Sequence, residues 1–422
     1  MLHLPALFSL PWHLSLFALT LTGVQASIGT VDVNDILGTN NQPILSYTDS
    51  GKSPWALKPH CIKGLQPKKQ KEGKVFCVQT YRRHTGQDIS LITTPETAYQ
   101  TVNALDEDPV SVFLDYEAAE EYREESLPWK IVSIEGKDMG VKATRKIGQY
   151  ETFMFDQASI VVALDLDNEA VIKRADYGEL LETATSQLGN PDTIRKLCKG
   201  SPDGSPPVRS SHLEDIMENN AFGSSIGDIE VKGLFPSIAR INHDCVPNAF
   251  IMFSPSGLSV GLKAYRDIAA GEEITVSYLP LGMTHSARQA ALKGWGFECS
   301  CSLCADSASS IAAHDAKRER IKALESEIQA TFQEGFVQGA IRLGQELLEL
   351  TREEGLTPML ADEYVMLAKL HLAAQDEGPA EEYGELAIEV LKDLGFLGDV
   401  DEGGKEWDLE SLLRAFGGQR LI

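Results

Sequence analysis

Arg240-Ile241-Asn242-His243-Asp244-Cys245-Val246-Pro247-Asn248 sets two asparagines around a histidine, a cysteine and a proline within a single short stretch. Asparagine side chains satisfy backbone groups where a chain crosses irregularly. Alone the stretch reads as a polar turn. It gains meaning from its neighbours. Upstream stands Gly136-Lys137-Asp138-Met139-Gly140-Val141-Lys142-Ala143-Thr144-Arg145, where glycine between two strands lets backbone approach a ligand. Downstream stands Gly271-Glu272-Glu273-Ile274-Thr275-Val276-Ser277-Tyr278. Then comes Cys299-Ser300-Cys301-Ser302-Leu303-Cys304, whose three soft thiolates suit a tetrahedral zinc and leave one position open. Cys245 is the natural fourth ligand; free or disulfide-bonded thiols are the alternative.

In this order the elements resemble the SET-domain protein lysine methyltransferases that carry a cysteine-rich post-SET segment. They look like the fungal SET proteins related to the SET-and-MYND subfamily. No MYND finger is visible, because residues 150–235 hold only Cys198. The likeness covers roughly residues 129–306, with the helical tail shared. It implies an α+β chain: a β-rich SET fold with a knot-like crossing, a zinc-binding post-SET segment and a C-terminal α-helical, tetratricopeptide-like domain.

The resemblance also implies site roles. Lys137, Asp138, Met139 and Gly140 would line S-adenosylmethionine through their backbone, and Asn220 would contact it. Asn242 and His243 would hold its amino-acid and adenine parts, and Phe297 would cover the adenine. Tyr278 would stand beside the methyl-transfer channel as the catalytic residue. Cys245, Cys299, Cys301 and Cys304 would bind structural zinc. Three departures stand out. Asp138 replaces a more usual glycine, Asp244 replaces serine, and Gly148-Gln149-Tyr150-Glu151 lacks the Gly-Glu pair of that turn.

Composition bounds this reading. The chain has 422 residues with 43% hydrophobic and 24% charged, ordinary for a globular protein with sizeable cores. Its net charge of −24 argues against broad contact with nucleic-acid backbones and favours a basic partner. Residues 307–422 hold 24 acidic and 11 basic side chains, a net of −13. Lys63, Lys68, Lys69, Lys71, Lys74, Arg82 and Arg83 form a basic run that reads as a solvated loop. Seven cysteines, unevenly spread, do not make a small disulfide scaffold.

Residues 1–24 contain no Asp, Glu, Lys or Arg, and Val24-Gln25-Ala26 is a loose cleavage site. A signal peptide over 1–26 is therefore expected, with a retained apolar N-terminus as the alternative and no transmembrane segment in the mature chain. Residues 27–128 form an N-terminal extension, 129–280 the SET domain with an insert about 165–235, 281–306 the zinc segment, and 307–422 the helical domain. Strands are expected at 75–78, 129–134 and 152–164, with a further strand-rich block over 248–278. Helices are expected at 96–105, 176–198, 362–374 and 379–394; Ala340, Leu343, Leu347 and Leu350 share one helical face. Ser201-Pro202-Asp203-Gly204-Ser205-Pro206-Pro207 breaks both patterns.

Location stays open. Secretion would oxidise thiols and allow Cys61 to pair with Cys77, whereas a nuclear or cytoplasmic chain would keep both reduced. The function expected is methylation of an accessible lysine on a protein, histone or non-histone, without direct nucleic-acid binding. The alternative is a non-catalytic SET scaffold whose acidic tail binds a basic partner.

Overall fold

The computed structural model describes residues 37–38, 42–43, 53–65, 73–84, 87–197, 212–401 and 403–416. The segment 1–26, the loop 201–207 and Lys68, Lys69 and Lys71 lie outside these residues. A short pairing of β1 (Leu37–Gly38) with β2 (Gln42–Pro43) precedes β3 (His60–Lys63), β4 (Val75–Tyr81) and β5 (Ile89–Thr93). Thr94, Asp108 and Asp115 then accept backbone N–H bonds at the starts of α1 (Pro95–Gln100), α2 (Pro109–Phe113) and α3 (Tyr116–Glu124). Proline suits the first position of α1 and α2 because its missing N–H would have no helical partner there.

Next come β6 (Trp129–Ile134), β7 (Asp138–Ala143), β8 (Thr152–Gln157) and β9 (Ile160–Ala163). Helices α4 (Arg174–Gln187), α5 (Asp192–Arg195) and α6 (His212–Asn220) lead to β10 (Phe222–Ile226) and β11 (Ile229–Leu234). The chain continues through β12 (Asn242–His243), β13 (Ala249–Phe253), β14 (Ser259–Ala264) and β15 (Glu273–Val276). It ends in helices: α7 (His285–Leu292), α8 (Ala308–Gln333), α9 (Val337–Glu353), α10 (Leu360–Ala373), α11 (Glu377–Asp393) and α12 (Leu409–Phe416). No helix among the described residues is long and apolar enough to cross a membrane.

Three sheets organise the β half. The largest runs β10-β11-β9-β5-β4-β3, so three of its six strands precede residue 129. Cys61 and Cys77 face each other across β3 and β4 and are joined by a disulfide. A second sheet runs β12-β15-β7-β6 and a third β13-β14-β8. Phe153, Met154, Leu262, Ile274 and Phe235 fill the core shared by these elements. Phe76, Val78 and Ile92 of the large sheet pack on Leu180, Leu181 and Ile216 of α4 and α6.

The stretch 152–164 is two strands, not one. Ala158 N–H donates to Leu258 O, beside the third sheet, while Ser159 N–H donates to Leu234 O of β11. Buried Asp156 fixes this corner by accepting the N–H groups of Ser237 and Ile238. Asp156, Gln157 and Ser159 interrupt the apolar run at this corner, but nothing local names the next partner strand. The helix expected over 176–198 ends at Gln187 and resumes as the single turn α5, and that over 96–105 breaks at Thr101. Arg83 is not on a solvated loop: it is buried and donates to Leu105 O and Ala158 O.

In the helical half each of α8 to α11 packs on the next. Ala340 and Leu347 are buried in that core, with Leu343 and Leu350 packed against it. The two halves meet closely. Arg318 of α8, 3% exposed, pairs with Glu354 and donates to Met283 O at 3.0 Å. Lys263 Nζ donates to Asp393 O at the end of α11, 2.6 Å away.

Candidate functional site

The short strand β12 lies parallel to β15, pairing Asn242 with Thr275 and His243 with Val276. This brings the Arg240–Asn248 stretch beside Tyr278 although the two are far apart in sequence. Asn248 secures the crossing. Its Oδ1 accepts Thr275 N–H at 2.9 Å, and its Nδ2 donates to Glu273 O at 2.8 Å. The expected role of asparagine at an irregular crossing is met by this residue.

Asn242 Nδ2 donates to Met139 O at 3.2 Å and to Glu273 Oε1 at 2.9 Å. Glu273 Oε2 in turn pairs with Lys137 Nζ at 2.9 Å. Residues 137–140 and Asn242 therefore share one polar edge, with Glu273 as its centre. Gly140 is required there: a Cβ would sit 2.7 Å from Asn242 Nδ2 and 2.6 Å from Ile134 Cγ1. Asp138 holds φ 64° and Tyr150 φ 62°, both left-handed. Glycine adopts this conformation without steric cost, and aspartate is among the residues that tolerate it best.

An aromatic corner adjoins this edge. Ring centroids of Tyr278 and His243 are 5.4 Å apart, Tyr278 and Trp295 5.8 Å, and Phe297 lies 6.2 Å from His243. Tyr278 Oη donates to Ile241 O at 2.6 Å, which fixes the phenol. His243 is buried, and burial lowers its pKa to about 4, so the ring is neutral. Asp244 accepts Val246 N–H, and burial raises its carboxyl to about 6.

Cys245, Cys299, Cys301 and Cys304 converge so that all four sulfurs lie within 4.8 Å of one another. Cys245 Sγ is 3.5 Å from Cys304 Sγ and 3.7 Å from Cys299 Sγ. Tetrahedral zinc with bonds of about 2.3 Å requires sulfurs roughly 3.8 Å apart, so the donors fit in kind and spacing. Hydrogen bonds donated to Cys299 and Cys301 hold the proton on Cys245 and push its thiol well above the usual range. A dication would relieve that crowding by allowing all four to ionise. The thiols sit in their own small core with Leu279, Leu292 and Leu303, against which Tyr278, Trp295 and Phe297 pack.

Asn220 ends α6, where its Nδ2 donates to Ile216 O of the same helix at 2.8 Å. The other sequence-expected residues gather around the polar edge, the aromatic corner and the thiols. Three participants were not foreseen. Glu273 lies inside the Gly271–Tyr278 stretch with no expected role, and Trp295 stands two residues before Phe297. Arg288 had no signal at all: a single arginine on α7, 3% exposed, with Nη2 3.6 Å from Cys304 Sγ and Nη1 donating to Met283 O.

A family profile described as SET domain matches residues 138–279. The chain is 30% identical to the histone-lysine N-methyltransferase set5 of Schizosaccharomyces pombe, over 42% of this chain and 50% of that protein. It is 45% identical to the histone-lysine N-methyltransferase SMYD3 of Homo sapiens over 17% of each. With the histone-lysine N-methyltransferase ASHR2 of Arabidopsis thaliana it shares 29% identity over 26% of this chain and 31% of the relative. The chain thus spans half or less of the length of these relatives.

Proposed function

We propose, on the premise that this chain belongs to the SET-domain protein lysine methyltransferases, that it methylates lysine side chains of other proteins with S-adenosylmethionine as donor. The observation that carries the reading is the convergence of Tyr278, His243 and Phe297 on the polar edge of Gly140 and Asn242, beside four clustered thiols.

Lys137, Asp138, Met139, Gly140, Asn242, His243 and Phe297 would hold the cofactor, and Asn220 is retained as a contact from the family pattern. Both ring nitrogens of His243 already face protein atoms, so its backbone is what it offers a ligand. Glu273, shared between Asn242 and Lys137, is the carboxylate placed to balance an ammonium group. When bound, S-adenosylmethionine supplies an electrophilic methyl on a positively charged sulfur. The substrate lysine must attack as a neutral amine, although its free pKa is about 10.4. A dry aromatic channel disfavours the ammonium and lowers that value. Tyr278 Oη donates to Ile241 O, which fixes the phenol where it would orient the amine. Positioning and exclusion of water then carry most of the rate.

Zinc on Cys245, Cys299, Cys301 and Cys304 would pin Trp295 and Phe297 to the corner. We assign residues 129–280 to the SET unit with its threaded crossing at Asn242, 281–306 to the zinc segment and 307–422 to a tetratricopeptide-like tail. The tail's net charge of −13 suits a basic protein substrate. The test is transfer of tritium from labelled S-adenosylmethionine to mixed histones and cell extract. Label on a protein band should appear with wild type and fall about 100-fold with Tyr278→Phe. Cofactor binding without label on any protein would instead support the non-catalytic scaffold.

A further inference from the structure

His243 touches the thiol cluster and the tyrosine at once. Its Nδ1 accepts the Tyr278 backbone N–H at 3.0 Å, and its Nε2 lies 3.3 Å from Cys245 Sγ. A nitrogen that accepts carries no proton, so the ring's proton sits on Nε2 and points at sulfur. We propose that His243 is a positioning residue that links the metal centre to the active-site tyrosine through an Nε2–H bond to the Cys245 thiolate. The inference rests on the zinc reading above and deepens it.

The geometry gives the residue two effects. Donation to sulfur draws charge off the thiolate, which lowers its basicity and stiffens its direction toward the metal. Acceptance from Tyr278 N–H fixes the backbone at the point where the chain leaves β15, and so aims the phenol. Cys245 and Tyr278 are thereby held by one rigid ring. Arg288 also meets the cluster, at Cys304 and Cys245. Metal occupancy should consequently be felt at Tyr278 through His243.

The test uses the full chain loaded with zinc. Long-range proton–nitrogen NMR on 15N-histidine protein, with His243 assigned by loss of its signal in His243→Gln, should show the Nε2–H tautomer. Its nitrogen shift should move when zinc is exchanged for 113Cd. Zinc release to a chromophoric chelator should quicken about 10- to 100-fold in His243→Phe, the usual cost of losing an outer-shell partner. His243→Gln places an amide N–H near the Nε2 position and should recover part of that retention. An Nδ1–H tautomer in wild type overturns the proposal even where the variants fail to fold. So does zinc release unchanged in His243→Phe from a wild type that binds zinc. A wild type that takes up no zinc refutes the metal reading itself, and the link with it.

Discussion

Cys61 and Cys77 face each other on neighbouring strands and are joined covalently, whereas Cys245, Cys299 and Cys304 meet as thiols across sequence gaps of 54 and 59 residues. The first pair staples a ladder whose backbone hydrogen bonds already set the register. The second group joins β12 to a segment with which it shares no ladder. A crosslink of the first kind adds stability to a shape that exists without it. A centre of the second kind would tie down a segment without a ladder, the one that carries Trp295 and Phe297 to Tyr278. The contrast also separates chemistry: one group is oxidised, while the other must stay reduced to hold a metal.

The largest effect expected is at the thiols. Cys245→Ser should abolish stoichiometric zinc and remove on the order of 10 kcal/mol of metal-linked folding free energy from the segment around Cys299–Cys304. Hydrogen exchange should rise over 292–306 while β3 to β5 stay protected; exchange rising equally in both regions would erase the distinction. Replacing Cys61 and Cys77 together by alanine should lower unfolding free energy by about 3 kcal/mol, as for a closed loop of roughly 15 residues. Zinc content measured by elemental analysis should not change, and a fall in it would show the two groups to be coupled.

Asn248→Ala tests the crossing. It leaves the Thr275 N–H and Glu273 O of β15 without their side-chain partner and should cost about 2 kcal/mol in denaturant unfolding. The smallest change expected is Asp138→Gly, which relieves a left-handed aspartate at an exposed turn. A gain below about 1 kcal/mol is predicted, because glycine's flexibility offsets part of the relief. A loss of more than that would give the Asp138 side chain a role of its own.

Much of the site was legible because its residues come in dense local words. The Arg240–Asn248 stretch, the Gly271–Tyr278 stretch and the cysteine triplet each carry several rare residues close together. The helical half was legible for another reason: Ala340, Leu343, Leu347 and Leu350 repeat at helical spacing, and α10 and α11 lie within about two residues of their expected bounds. What escaped were solitary partners and changes of neighbour. Arg288 is one charge on an ordinary helix, and only the fold shows that it abuts sulfur. Arg83 sits in a basic run yet is buried, because it caps carbonyls of two distant segments. At Ala158 and Ser159 the chain leaves one sheet for another, and the polar Asp156, Gln157 and Ser159 that mark the corner do not say which strand comes next. These are long-range facts, and no local window contains them.

The most direct measurement is calorimetric titration of S-adenosylmethionine into zinc-loaded protein, repeated after the metal is stripped with the Cys61–Cys77 bond kept intact. The account predicts one binding site with zinc present and loss of measurable binding without it, since the aromatic corner then loses the crosslink between Cys245 and the 299–304 segment. No binding to the zinc-loaded chain, or equal binding to both forms, would contradict it.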